Sequence, residues 1–343
     1  AVAVSVGSDP LLPDIPGITD VSPWTSRDAT SAKIAPKSLA IIGGGVVALE
    51  MATAYAGFGT TIDVIARSGL LANQEPFAGE LVSDSLEKLG VRIHLGATPS
   101  RVHRGEDGTV TVTLDNGDTV TAEQLLVATG RVPRTGDLGL EKIGLAPGEW
   151  LSVDDTMLVH HSDGTPVAGD WLYAVGDVNH RALLTHQGKY QARIAGDAIA
   201  ARAAGKTLPT EPWSTYVASA DHQAVPQVAF TDPEVASVGL TAAAAGKAGY
   251  RTRVVDYSIA NTSGATINSD EYVGQARMVV DEDRQVLLGV TFVGADVGEL
   301  LHSATIAVVG EVPLSRLWHA VPSYPTLSEV WLRLLETYGR PTE

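Results

Sequence analysis

The chain has 343 residues, enough for two or three domains with buried cores, and its 44% hydrophobic and 19% charged content is ordinary for a globular protein. No apolar run approaches the roughly eighteen residues of a membrane-spanning helix, and a formal net charge of -16 disfavours nucleic acid and anionic membrane surfaces as partners, since both are polyanions. The absence of cysteine excludes disulfides, thiolate metal sites and a thiol nucleophile within these residues.

The chain opens without Met on Ala1-Val2-Ala3-Val4, which reads as a strand over 1–7 ending at Gly7 and as the continuation of upstream sequence. No basic region followed by an apolar run and a cleavage site is visible, so the expected location is cytoplasmic. Four prolines between Asp9 and Pro23 predict a connector. A strand is expected over 38–42, a helix over 43–58 stopped by Gly59, and a second strand over 60–66 rich in β-branched residues. An amphipathic helix over 77–89, stopped by Gly90, leads to a strand over 91–95. Alternating strands occupy 101–127, with Asp115-Asn116-Gly117 as a hairpin turn. The order β-α-β-α-β, a hairpin and a closing strand over 125–128 describes a doubly wound α/β domain.

Beyond it, an apolar strand over 171–175 ends in Gly176-Asp177, and a long helix follows over 185–204. Strands over 226–230, 253–258, 274–281 and 286–293, then helices over 297–310 and 326–338, describe a separate α+β domain.

The most informative string is Leu39-Ala40-Ile41-Ile42-Gly43-Gly44-Gly45-Val46-Val47-Ala48-Leu49-Glu50. It fits G-x-G-x-x-A between a strand and a helix. Gly43 permits a tight turn, Gly45 leaves room for a pyrophosphate near the backbone, and Ala48 lets helix and strand pack closely. The helix N-terminus then offers free N–H groups and a positive dipole to the phosphates. At the end of the second strand, Ala66 stands where an acid would receive the ribose hydroxyls of NAD, and Arg67 follows. Arginine matches the 2′-phosphate of NADP through charge-assisted hydrogen bonds, so the expected dinucleotide is NADP, with NAD as the alternative. Asp63 lies inside the strand and is a poor ribose ligand.

Several separated motifs, in order, resemble the pyridine nucleotide-disulfide oxidoreductases, the family of dihydrolipoamide dehydrogenase, glutathione reductase and mercuric reductase. Val6-Gly7-Ser8-Asp9-Pro10 with Ile15-Pro16-Gly17 resembles A-T-G-S-x-P…I-P-G. Gly43 to Glu50 resembles the NAD(P)H fingerprint, and Ala128-Thr129-Gly130-Arg131-Val132-Pro133 the second A-T-G-R-x-P. Tyr173-Ala174-Val175-Gly176-Asp177 resembles the motif whose Asp meets the FAD ribityl chain. The stretches 228–235 and 238–241 resemble the opening of the dimerisation domain, and Tyr324-Pro325-Thr326-Leu327-Ser328-Glu329 its closing H-P-T-x-x-E.

The resemblance implies FAD and NAD(P)H as cofactors and a homodimer. It divides the chain into the end of a first FAD segment at 1–30, an NAD(P)H-binding domain at 31–145, a second FAD segment at 146–212 and an interface domain at 213–343. It implies FAD contacts at Gly7, Ser8, Gly130 and Asp177, and near the start of the long helix at Thr185 and His186. It also implies a catalytic role for Glu50, as partner of an upstream lysine beside the flavin. The apolar helix 297–310 fits an interface core.

Two departures stand out. The family's N-terminal G-x-G-x-x-G and C-x4-C are not within these residues, which leads to the expectation of an upstream FAD unit. The histidine of the closing motif is Tyr324 here, while Glu329 keeps its partner position. A phenol, with an ordinary pKa of about 10, replaces an imidazole poorly in proton transfer at a dithiol. His319, five residues upstream, is a weaker candidate for that task. The expected function is therefore an FAD-dependent oxidoreductase passing hydride from NAD(P)H to a quinone, a metal ion or a disulfide, catalytically incomplete within these residues. The alternative is a truncated, non-catalytic NAD(P)H-binding and dimerising module, from which a yellow solution would distinguish it.

Overall fold

The computed structural model describes residues 1–340. The chain forms two compact units: Ala1–Pro10 with Gly130–Val225, and Leu11–Thr129 with the residues from Pro226 onward.

The second unit contains the doubly wound sheet. Four parallel strands run in the spatial order Arg92–Leu95, Thr61–Ala66, Ser38–Ile42, Gln124–Val127. Parallel neighbours need crossovers, and the helices Val46–Gly57 and Pro76–Lys88 supply two of them. A sheet covered on both faces has strands apolar at every position, and Leu39, Ala40, Ile41 and Ile42 are all buried. Leu39 and Ile41 pack with Ala48, Leu49, Val82 and Leu86 of the two helices. Ala40 and Ile42 face the opposite way, onto Val102, Val112 and Val120 of a three-stranded antiparallel sheet, Pro99–Arg104, Val110–Leu114 and Thr119–Ala122.

The same unit holds a five-stranded antiparallel sheet in the order Gln227–Ala229, Glu234–Gly239, Val286–Gly294, Gln275–Asp281, Thr252–Ser258. Its middle strand is buried at all nine positions. Helix Leu301–Val309 packs on this sheet through Leu301, Ala304, Ala307 and Val308, while Ile306 stays 58% exposed. The expected interface helix is thus apolar on two faces, one spent on its own sheet.

In the first unit Val2–Val4 pairs in parallel with Leu172–Ala174, and Ser8–Pro10 pairs antiparallel with Arg131–Pro133. The strand expected over 1–7 is shorter, because the chain turns at Gly7 (φ +75°) to form the second pairing. The connector expected from Asp9 to Pro23 begins as the end of that second strand, and beyond it lies a short helix that was not anticipated, Ser26–Ser31. Thr25 and Asp28 close a capping box there, a signal the proline-based reading passed over. Strand Glu234–Gly239 and helices Ala242–Lys247, Ser263–Asn268 and Leu314–Leu317 were likewise not anticipated. The long helix runs Thr185–Ala203, one residue short of expectation.

Candidate functional site

Two corners carry the candidate residues, and each is built by different means. The first lies where strand Ser38–Ile42 meets helix Val46–Gly57. Gly43 adopts φ +138°, and a Cβ there would stand 2.4 Å from the Ala128 carbonyl oxygen. Its amide is fixed by the Ile65 carbonyl at 2.9 Å. Gly45 is the helix N-cap, and a Cβ at that position would meet nothing within 4 Å. Ala48 is fully buried against the sheet. The corner is therefore closed on the protein side and open on the other. The first helical N–H groups have no intrahelical partners, and no acid stands in the first turn to compete for them. An anionic diphosphate fits this cradle in both room and sign.

Arg67 follows the second strand and is exposed. Among the described residues it has no hydrogen-bond or ion-pair partner, so its guanidinium is available to an anion. Asp63 is committed elsewhere. It is 3% exposed, accepts from Arg92 Nε at 2.8 Å, and lies 2.9 Å from His94 Nε2. Burial works against its charge, but the bonds and charges of Arg92 and His94 outweigh this and hold the carboxyl below its ordinary range. Glu50 sits one turn along the same helix, half-buried, and its Oε1 accepts from the Phe230 N–H at 2.9 Å.

The second corner belongs to the other unit. Gly7 turns the chain so that Ser8 faces Asp177: Ser8 Oγ donates to Asp177 Oδ2 at 2.6 Å. Arg131 Nε donates to Ser8 Oγ at 2.5 Å, and Arg131 Nη2 donates to the Ser8 carbonyl at 2.7 Å. The Arg131 charge lies 3.7 Å from Asp177 Oδ2. Arg131 was not among the residues singled out from the sequence, although it occupies the fourth position of the second A-T-G-R-x-P string. Asp177 lies in the 3₁₀ turn Gly176–Asn179 after strand Leu172–Ala174. The turn leans on the long helix, where a Cβ at Gly188 would come 3.2 Å from Gly176 Cα. Gln191 Oε1 accepts from the Gly176 N–H and from Asn179 Nδ2, both at 2.8 Å.

Beside the turn lies a cleft of about 390 Å³ reached by Gly7, Asp177, Thr185, Gly188 and Lys189. Thr185 and His186 are the first two residues of the long helix, and both are exposed. The cleft combines a carboxylate acceptor for hydroxyl groups with the positive end of a nineteen-residue helix, which fits a polyhydroxylated, partly anionic ligand. Gly130, with φ +148°, turns the chain into the strand that carries Arg131.

The closing motif is arranged differently from the first two. Tyr324 is 77% exposed, and its hydroxyl has no hydrogen-bond partner among the described residues. Glu329 is 6% exposed and takes other partners. Its Oε2 accepts from the Ser263 N–H at 3.0 Å, and its Oε1 accepts from Arg333 at 2.6 and 3.1 Å. Burial raises its pKa, but the Arg333 and Ser263 bonds prevail and hold it below the ordinary value. Within one chain the structure does not bring Tyr324 and Glu329 together. His319 is exposed, and among the described residues only its backbone is bonded.

Among the described residues no group of His, Asp and Glu is arranged to hold a metal ion, and no helix is long and apolar enough to cross a membrane.

Comparison with known proteins places the chain in a family. Residues 1–202 match the pyridine nucleotide-disulphide oxidoreductase model, and residues 225–334 match the dimerisation domain of the same family. The chain is 32% identical over 342 residues to a mercuric reductase of Shigella flexneri, covering 98% of this chain and 56% of that protein. It is 31% identical over 310 residues to a dihydrolipoyl dehydrogenase of Haloarcula marismortui, covering 89% and 61% respectively. The chain thus spans little more than half the length of these relatives. Among solved structures, the HOCl-induced flavoprotein disulfide reductase RclA from Escherichia coli shares the fold at a TM-score of 0.82 and 24% identity, covering 97% of this chain and 72% of that one. LpdA from Mycobacterium tuberculosis does so at 0.80 and 23%, covering 98% and 69%. Members of the family use FAD and NAD(P)H. By its sequence matches across both segments, the chain belongs to the pyridine nucleotide-disulphide oxidoreductase family.

Proposed function

We propose that this chain is the NAD(P)H-binding and dimerising part of an FAD-dependent oxidoreductase that passes hydride from NADPH, through flavin, to a second acceptor. The observation that carries the reading is the strand–glycine–helix corner at Gly43–Ala48, closed behind Gly43 and open in front of Gly45. FAD, when bound, supplies the two-electron chemistry between nicotinamide and acceptor. The tasks of the chain are binding, orientation and charge placement.

In this reading Gly43, Gly45 and Ala48 seat the pyrophosphate of the dinucleotide, and Arg67 receives the 2′-phosphate. Arg67 is exposed and uncommitted, which supports NADP over NAD, while the commitment of Asp63 to Arg92 and His94 removes the nearest acid as a ribose ligand. Asp177, oriented by Ser8 and Arg131, accepts from the ribityl hydroxyls of FAD. Gly7 and Gly130 shape the turns that present those residues. Thr185 and His186 bring the positive helix end to the flavin. Glu50 and Glu329 are assigned to the catalytic environment with Tyr324. The division into segments 1–30, 31–145, 146–212 and 213–343 follows from the same reading.

Tyr324 bears on the class of acceptor. A phenol exchanges protons with a dithiol poorly near neutral pH. A quinone or a metal ion therefore suits this chain better than a disulfide, and the likeness to a mercuric reductase agrees with that preference. The exposed Ile306, Val321 and Tyr324 supply apolar surface for a second copy of the chain.

Titration calorimetry of NADPH and NADH against the chain tests the reading. NADPH is expected to bind tighter than NADH, and Arg67→Ala is expected to remove about tenfold of that preference, the weight of one charge-assisted phosphate contact. A preference for NADPH that survives Arg67→Ala refutes the assignment of Arg67. Flavin absorbance in the purified chain separates the flavoprotein from a module that binds nicotinamide dinucleotide alone.

A further inference from the structure

Behind the Gly176–Asp177 turn lies a buried polar cluster that the proposed function does not use. Asp221, on the short helix Ala220–Gln223, has a side chain with no solvent exposure. Its Oδ1 accepts from Gln187 Nε2 at 2.8 Å and its Oδ2 from Gln191 Nε2 at 2.9 Å. The two glutamines stand one turn apart on the long helix and are both buried. Arg181 Nη1 lies 3.6 Å from Asp221 Oδ2 and 2.8 Å from Asp155 Oδ1, and Asp155 also meets His222 Nε2 at 2.7 Å.

The two ends of a glutamine amide have nearly the same shape, so its partners decide which way it points. On one side of Gln191 stand two donors, the Gly176 N–H and Asn179 Nδ2. Asn179 is itself oriented, because its Nδ2 also reaches the Ala174 carbonyl and its Oδ1 accepts from the Arg181 N–H. On the other side of Gln191 stands Asp221, whose two oxygens accept and never donate while it is ionised. Burial pushes the Asp221 carboxyl above its ordinary range, against the bonds of both glutamines and the charge of Arg181. An uncharged residue would fill the same place without that desolvation cost. What a carboxylate alone provides here is two acceptors facing two donors.

We propose that Asp221 is a positioning residue for the flavin site: it fixes the amide of Gln191 so that Oε1 faces the Gly176 N–H, and so holds the turn that presents Asp177. The consequence for flavin rests on the proposed function. The local claim about the turn does not.

The test uses the 343-residue chain, with hydrogen exchange at the Gly176 amide and fluorescence-monitored titration of FAD as separate readouts. Asp221→Asn sets a donor against one of the two glutamine donors, and about tenfold or more of the Gly176 protection is expected to be lost, with a similar weakening of FAD affinity. The paired change Asp221→Asn with Gln191→Glu reverses donor and acceptor at unchanged total charge. It is expected to bring both quantities back to within about threefold of the parent chain. A merely structural role predicts no such rescue. Gly176 protection unaltered in Asp221→Asn, or a paired variant that stays as loose as the single one or fails to fold beside it, overturns the proposal. A parent chain that takes up no FAD removes the flavin consequence for these residues by themselves, and the exchange data still decide the claim about the turn.

Discussion

The corner at Gly43 and the turn at Asp177 are each proposed to hold a nucleotide-bearing cofactor, yet they are made in opposite ways. At Gly43 the work is done by backbone and by missing side chains: one glycine in a conformation closed to other residues, one facing empty space, and one alanine sealed beneath. At Asp177 the work is done by side chains drawn from far apart in sequence: Ser8 and Arg131 in front, Gln191 and Asn179 behind. A backbone cradle is local, survives as a short string and tolerates change around it. A side-chain cradle depends on every partner being present and oriented.

This contrast can be broken most severely at Gly43. Gly43→Val adds a Cβ 2.4 Å from the Ala128 carbonyl and demands φ +138° of a β-branched residue. Urea denaturation is expected to show a loss of about 4 kcal/mol or more, or no soluble chain at all. An effect below about 1 kcal/mol would mean that the corner relaxes freely and is not closed from behind.

The buried Asp63 offers the next largest effect and a pH signature. Asp63→Asn leaves Arg92 and His94 without their shared carboxylate, at an expected cost of about 3 kcal/mol at neutral pH. The folded-state pKa of Asp63 lies below its ordinary value of 3.8. Its contribution is therefore complete above the unfolded-state pKa and is lost as pH falls through the lower, folded-state one. The parent chain is expected to lose stability relative to Asp63→Asn in that acid window, so that the two denaturation curves converge. Parallel curves down to the acid limit would remove Asp63 from the account of this sheet.

Ser8→Ala probes the side-chain cradle more gently. It removes the hydroxyl between Arg131 and Asp177 and is expected to weaken FAD binding about fivefold, close to the value of one ordinary hydrogen bond, with NADPH affinity unchanged. Equal losses for both cofactors would erase the distinction between the two corners.

Legibility in the sequence follows the same division. The parallel sheet, its two helices and the Gly43–Ala48 corner were readable because strand, glycine spacing and helix lie within one short stretch. The partners of Asp177 were only half readable: Ser8 and Asp177 stood in recognisable strings, while Gln191, within the long expected helix, was not singled out. Burial on that helix face, which no single-sequence pattern reports, is what gives Gln191 its meaning. Glu329 carried the opposite lesson. Its position in the closing motif was legible, and so was Arg333 four residues along the same helix, but its bond to the Ser263 N–H depends on packing between two helices whose contact the sequence does not announce.

The most direct test of the central claim is the affinity of Gly45→Val for NADPH, measured beside its thermal stability. A side chain at Gly45 enters open space in the free protein, so stability is expected to stay within about 1 kcal/mol of the parent chain. It enters the place proposed for the pyrophosphate, so NADPH affinity is expected to fall about a hundredfold or more. A folded Gly45→Val chain that binds NADPH as tightly as the parent would contradict the account.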